Sequence, residues 1–351
     1  MNESEAKPKN ARSTSAAPQS SGRGKAPAFV GSEVAQLGQS QAPSRIAMGG
    51  GMIAHLLPSG PMLFPQTPSA SGKSFPPKEP RGIAAFPDGR VLVLSETEPG
   101  RYVAVVTSKN GVSQTFPLLI PLSPLRDKLF RVQVDPQAQD EFVVVGDRGA
   151  IGYKLELLGD HLRRRYSYDT TPQEMATSTL SQDGSLWFFK APGLGKWTRG
   201  ASAPTVVPIP QLQEPIWHLS PGQNPQSLWA TVGSHRIVRL VQTDKGMAME
   251  RTLDETPAVV HALSSHAGHV AALLVHESAG TQTKAVVVVF DAQGSQLLRQ
   301  EVPGPFDTRQ PWSVALSPSI CAVASATQLR VFELATRKLI LRQGDALPHI
   351  D

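Results

Sequence analysis

From residue 82 onward the sequence returns to one motif: a short apolar strand, a tight turn, and at once a second, strongly β-forming strand. The six occurrences are GIAAFPDGRVLVLSE, FRVQVDPQAQDEFVVVGD, MATSTLSQDGSLWFFKA, IWHLSPGQNPQSLWATVGS, VVHALSSHAGHVAALLVHE and WSVALSPSICAVASAT. Their first turn residues are Pro87, Asp135, Ser181, Ser220, Ser264 and Ser317, separated by 48, 46, 39, 44 and 53 residues. A repeat of this length is one supersecondary unit too small to bury its own faces, so neighbouring units must stack. The strands are bounded by Asp-Gly, Pro-Gly and Ser-Pro turns. No stretch of twelve or more residues carries the i, i+3, i+4 apolar pattern of an amphipathic helix. Helical solenoids are excluded. What remains is an all-β fold, a β-propeller built from four-stranded antiparallel blades.

The last unit is the clearest. Val314 to Pro318 forms an inner strand and turn, Ile320 to Ser325 the second strand, and Gln328 to Leu334 and Arg337 to Arg342 the outer two. Its third strand ends in Phe332-Glu333, and the preceding unit has Phe290-Asp291 at the same place. With the Leu-Ser-Pro turn, this resembles the WD repeat, whose third strand ends in a Trp-Asp pair. No unit here has the Trp-Asp dipeptide itself, and the opening Gly-His pair is absent. The resemblance covers residues 82 to 351 and implies the WD-repeat-like (YVTN-like) propeller superfamily, with no particular member. It also implies a platform for protein partners.

Residues 45 to 351 number 307, which divides into seven blades of about 44 residues, a usual length for this repeat. Six units are visible, and RIAMGGGMIAHLLPSGPMLF, read as two or three strands, supplies part of a seventh. Seven blades is the expectation and six the alternative. The expected boundaries are a tail at 1–43 and a propeller at 44–351, with 65–81 a loop within it. The tail is rich in Ser, Ala, Pro and Gln, and cannot offset the roughly 1–2 kcal/mol per residue lost on ordering a backbone. It is expected to be disordered, with Phe29-Val30 its one short apolar motif.

The chain's net charge of +5 belongs mainly to its N-terminal part. Residues 1–80 hold eight Lys/Arg and four Glu, leaving 26 basic and 25 acidic groups beyond. A nucleic-acid partner is therefore poorly supported for the folded part. The single cysteine, Cys321, permits no intrachain disulfide and no thiolate cluster. The start, MNESEAKPKN, lacks the apolar core of a secretory signal, and no apolar run reaches the ~18 residues of a membrane span. The cytoplasm is the expected compartment, or the nucleus in a eukaryote.

Among candidate sites, His261, His266, His269 and His276 form the densest group of metal-ligand side chains. Only His266 and His269, flanking one turn, are placed to meet, and a histidine-rich turn is more often simply solvated, so no metal site is expected beyond these two weak candidates. No cofactor is expected. The inner-strand positions Phe86, Val134, Leu180, Leu219, Leu263 and Leu316 are expected to face the channel and are apolar, unlike a catalytic channel. Asp88, Asp135 and Asp183 sit in turns, where Asp bonds backbone two residues on. Ser71-Gly72-Lys73-Ser74 resembles the end of a phosphate loop, but Thr67 stands where its first glycine is needed. Cys321 reads as core, and Trp187 and Trp229 as packing between blades. For partner binding the candidates are Arg163, Arg164, Arg165 and Tyr166, expected on an outer strand or the loop before it. Trp197 joins them in an expected exposed loop, and Trp312 is expected exposed too.

The expected function is a non-catalytic scaffold of WD-repeat type, a subunit or adaptor that binds protein on the propeller's face or rim. The alternatives are an enzyme with a metal-dependent channel site and a nucleic-acid-associated protein using the basic tail. The oligomeric state is left open.

Overall fold

The strand Glu141–Gly146 (EFVVVG) is buried at all six positions, and successive side chains point to opposite faces. Phe142 and Val144 join a cluster with Phe86, Leu92 and Phe130, whereas Val143 and Val145 join Leu186, Phe188 and Trp197. The same division recurs in Val91–Glu98, where Leu92 and Leu94 serve one neighbour and Val91 and Val93 the other. In Ile320–Ala324, Cys321 and Val323 face one way and Ile320, Ala322 and Ala324 the other. A strand covered on both faces reads as a continuous apolar run. That is why the second strands dominate the repeat.

The computed structural model describes residues 44–66, 73–74, 79–125, 128–156, 161–169, 175, 177–276, 283–306 and 311–344. These form seven antiparallel sheets of four strands, spanning 46–74, 80–118, 131–169, 178–208, 216–254, 259–301 and 313–343. In every sheet the strands are neighbours in chain order. Each blade is thus complete within its own stretch of chain. The apolar clusters also number seven among the described residues, and each straddles the seam between two adjacent blades. The core is therefore distributed around the ring. Trp187 and Trp229 lie fully buried in two of these seams, as expected.

The first blade differs from the reading of two or three strands followed by a loop. It is a full blade of Ile46–Gly49, Met52–Leu57, Gly60–Pro65 and Lys73–Ser74. The expected loop at 65–81 contains that two-residue outer strand, paired with Met62 and Leu63, and the start of Pro80–Ala85. Two residues are too few to carry an apolar signature, and Pro80 is tolerated because it opens its strand. Ser71 and Gly72 lie outside the described residues, while Lys73 and Ser74 are strand, not the loop-to-helix turn of a phosphate cradle. The tail at 1–43 also lies outside the described residues.

The ring closes where the seventh blade meets the first, with no strand exchanged. Ile46, Ile53 and Phe64 pack with Ala322, Leu329 and Val331. The Arg45 backbone N–H donates to Ser313 Oγ at 2.9 Å, and His55 Nε2 donates to the Ser325 carbonyl at 2.8 Å. Among the described residues, no helix is long and apolar enough to cross a membrane.

Candidate functional site

The arginine run lies on His161–Asp169, the outer strand of the third blade. This strand pairs with Gly149–Glu156 through a register shift: Gly152 opposes Tyr166 and Tyr153 opposes Arg164. Arg165 is thus the extra residue of a β-bulge, a device that re-aims side chains. Arg163 and Arg164 are exposed, and Lys154 stands opposite Arg163 in register. Arg163 reaches Glu156 only at 3.9 Å, and Arg165 lies 3.6 Å from Glu141. A largely exposed pair at 3.9 Å such as Arg163–Glu156 contributes little, so the outer part of the strip keeps its positive character.

Beside the strip, blade four reaches into blade three. Arg199, in the loop between the strands Gly193–Trp197 and Thr205–Pro208, pairs with the buried Asp135 and, at 2.5 Å, with Glu141. Its guanidinium also lies 5.7 Å from the centre of the Tyr166 ring. The aromatic stack continues from Tyr166 to Tyr168 (5.0 Å) and from Tyr168 to Trp197 (4.4 Å). Burial, and then the nearby Asp135 carboxylate, push the Tyr166 phenol up to about 12. The structure therefore joins Arg165, Tyr166 and Trp197 at one seam, with Arg163 and Arg164 at its outer edge.

Trp197 corrects the expectation of an exposed loop residue. It ends a third strand, is buried, and donates from Nε1 to the Ala201 carbonyl at 3.1 Å. Trp312 is buried too, stacked on Phe306 at 4.4 Å. The glycines around Trp197, and the place of Trp312 just before the last inner strand, point to exposure. In each case the ring fills a seam.

The channel departs from the expectation in part. Val134, Leu219 and Leu263 do line a central pocket of about 350 Å³, whereas Phe86, Leu180 and Leu316 belong to the seam clusters. Polar groups share the axis with them: Arg131, Gln133, Thr179, His218, Ser220 and His261 line the same pocket. Arg131 donates from Nη1 to Ser178 Oγ at 2.8 Å and to the Ser178 carbonyl at 3.1 Å. Gln133 accepts from the Leu180 N–H at 3.0 Å. The alternation within Arg131–Val134 was the available signal, since Arg131 and Gln133 alternate with two valines.

His266 and His269 do oppose one another across a hairpin. His261 lies within the strand Val259–His266 rather than at its end, edge-on to Phe306, and His276 closes the next strand. Partial burial, with the charge of His269, holds His266 below the usual imidazole range. Among the described residues no group of three or more His, Cys, Asp or Glu is placed to hold a metal ion. The turn aspartates act on backbone: Asp88, Asp135 and Asp183 accept from the N–H two residues on, at 3.0, 2.8 and 3.0 Å. Cys321 is fully buried in a seam, which pushes its thiol pKa far up.

Neither a family model nor a curated protein matches the sequence. Solved structures do match. Sqt1 of Saccharomyces cerevisiae aligns over 87% of this chain and 86% of its own, at 9% identity and a TM-score of 0.55. The β-propeller domain of the Trilobed protease from Pyrococcus furiosus, described as having an open velcro topology, aligns over 86% and 98%, at 11% identity and 0.56. KlAtg21, solved in complex with the coiled coil of AgAtg16, aligns over 87% and 100%, at 8% identity and 0.57. The chain has the fold of the WD-repeat β-propellers, with seven blades.

Proposed function

We propose that this protein is a non-catalytic interaction scaffold of WD-repeat type, a cytoplasmic subunit or adaptor that docks an acidic protein partner on the rim of its third blade. The observation that carries the reading is the exposed strip of Arg163 and Arg164, with Lys154 in register, mounted on a rigid blade beside the Tyr166 seam. Arginine beside tyrosine is the composition favoured at protein interfaces. A preformed basic strip steers an acidic partner and selects against a basic one. A propeller of the same fold, KlAtg21, is solved in complex with a coiled coil, a protein ligand.

The test compares the full chain with the double variant Arg163→Ser/Arg164→Ser in affinity capture from native lysate, across a salt series. Arg165 is left intact because it lies close to Glu141. The scaffold reading expects a reproducible partner whose recovery falls at least about tenfold in the variant and weakens as salt rises. Equal recovery by both proteins would remove the third-blade rim from the interface.

A further inference from the structure

The β-bulge in the third blade brings a serine and an arginine onto one face of the sheet. Along a regular strand, residues three apart point to opposite faces. In His161–Asp169 the extra residue Arg165 breaks that alternation, so Arg164 stands opposite Tyr153 and Ser167 opposite Ile151. Ile151 and Tyr153 both pack into the seam with the second blade. Arg164 and Ser167 therefore share the second-blade side, at positions about 7 Å apart along the neighbouring strand. Tyr166 and Tyr168 point the other way, toward Trp197 of the fourth blade. Ser167 is exposed, as are Arg163, Arg164 and Arg165.

The local sequence adds a second observation. Arg164-Arg165-Tyr166-Ser167 places guanidinium groups three and two residues before an exposed hydroxyl. Arginine-directed serine kinases select substrates by this charge pattern, read by carboxylates in the kinase cleft. Such a kinase takes its substrate extended. This strand is already extended, and it is the outer one of its sheet, with one strand neighbour among the described residues. A phosphate on Ser167 adds a charge of about −1.5 to −2 on the face that carries Arg164, where a charge-assisted pair can form.

We propose that Ser167 is a phosphorylation site for an arginine-directed serine kinase, and that Arg164 holds the phosphate, which neutralises the basic strip. In the transfer, Ser167 Oγ attacks the γ-phosphorus of ATP. The new P–O bond forms as the bond to the β-phosphate oxygen breaks, ADP leaves, and the hydroxyl proton passes to the catalytic carboxylate of the kinase. The strip of Arg163, Arg164 and Lys154 then presents a phosphate among its cations, which repels an acidic partner. The modification stands on the strand geometry alone; its effect on docking rests on the scaffold reading.

The test incubates the folded full chain with MgATP and the catalytic subunit of cyclic-AMP-dependent protein kinase, and locates phosphate by peptide mass mapping. Phosphate on Ser167 is expected, lost in Ser167→Ala and at least about tenfold slower to form in Arg164→Ser. Phosphorus NMR then titrates the phosphoserine after prolonged incubation of both arginine forms. Its second pKa should lie below the ~6 of a solvated phosphoserine, and Arg164→Ser should restore that value. A folded chain that takes no phosphate on Ser167, or takes it only within residues 1–43, would overturn the proposal. So would a phosphoserine that titrates identically with and without Arg164. Partner capture separates the two readings. If the unmodified chain recovers no partner, the scaffold reading fails and the phosphate measurements still decide the site. If the phosphorylated chain recovers as much partner as the unmodified one, the neutralised strip is refuted and the scaffold reading is not.

Discussion

The seam that closes the ring contains a buried imidazole, and acidification should loosen it. His55 is fully buried, and Nε2 must carry the hydrogen it gives to the Ser325 carbonyl at 2.8 Å. Nδ1 therefore holds the lone pair, with no partner at hydrogen-bonding distance. Protonation there would create a buried cation near Arg45. Burial first, then the Arg45 charge, bring the His55 pKa down from 6.5 to about 4, against weaker support for the cation from Ser325 and Gln343. In the unfolded chain the imidazole titrates near its ordinary value. Between pH 6.5 and about 4 the unfolded state thus binds the extra proton, and stability falls as pH falls. At 1.36 kcal/mol per pKa unit the loss is about 3 kcal/mol, and it stops below the folded pKa.

The perturbation is His55→Phe, which keeps an aromatic ring in the seam and removes the titration. It leaves the Ser325 carbonyl without its donor, a pH-independent cost of about 1–3 kcal/mol. Urea unfolding of both proteins, followed by tryptophan fluorescence at steps through the window, reads the difference. The carboxylates held below their usual range, such as Asp183 and Glu96, titrate in both chains and cancel. The wild type should lead near neutrality and lose about 3 kcal/mol of its advantage by the acid end. A gap that stays constant across the window would refute the reasoning.

Three further outcomes follow from the seams. Arg199→Met should cost about 2 kcal/mol in chemical denaturation, because it strands the buried Asp135; the cost is below the ~3–5 expected of a fully buried pair because Arg199 is 36% exposed. Adding Asp135→Asn should recover part of that loss. Gly152→Ala would bring a Cβ to within 2.3 Å of the Tyr166 ring, and should lower stability by about 1–3 kcal/mol, read in a thermal melt as an earlier transition. Cys321, fully buried, should resist a thiol-reactive dye in the native protein and label only as the protein unfolds, so fast native labelling would mean that this seam opens.

The fold was legible because the second strands are buried on both faces, and runs such as FVVV in 142–145 or VAALLV in 270–275 follow from nothing else at that spacing. The outer strand of the first blade was not, since two residues at 73–74 are too few for an alternation to show in the sequence. The arginine strip was readable as an outer strand, because only a solvated edge accommodates three successive arginines. Its neighbours were not. Trp197 sits among Gly and Lys in a five-residue strand, and its burial depends on Tyr168 of the previous blade, a contact that no local window contains. Arg199 was passed over for the same reason: its partners Asp135 and Glu141 lie 64 and 58 residues away.

The polar channel has a structural origin. Each inner strand is the edge of its sheet, so one row of its N–H and C=O groups faces the axis with no strand to pair. Side chains from an adjacent blade meet part of that need. Gln133 accepts from the Leu180 N–H, Arg131 donates to the Ser178 carbonyl, Thr177 to that of Trp217 (3.2 Å) and Gln182 to that of Gly222 (3.0 Å). Apolar residues at these positions would leave the backbone unsatisfied, at about 1–3 kcal/mol per buried group. The ring must therefore be polar near its axis wherever its inner edges are buried. Asn, Gln, Ser or Thr would serve that purpose equally well without charge.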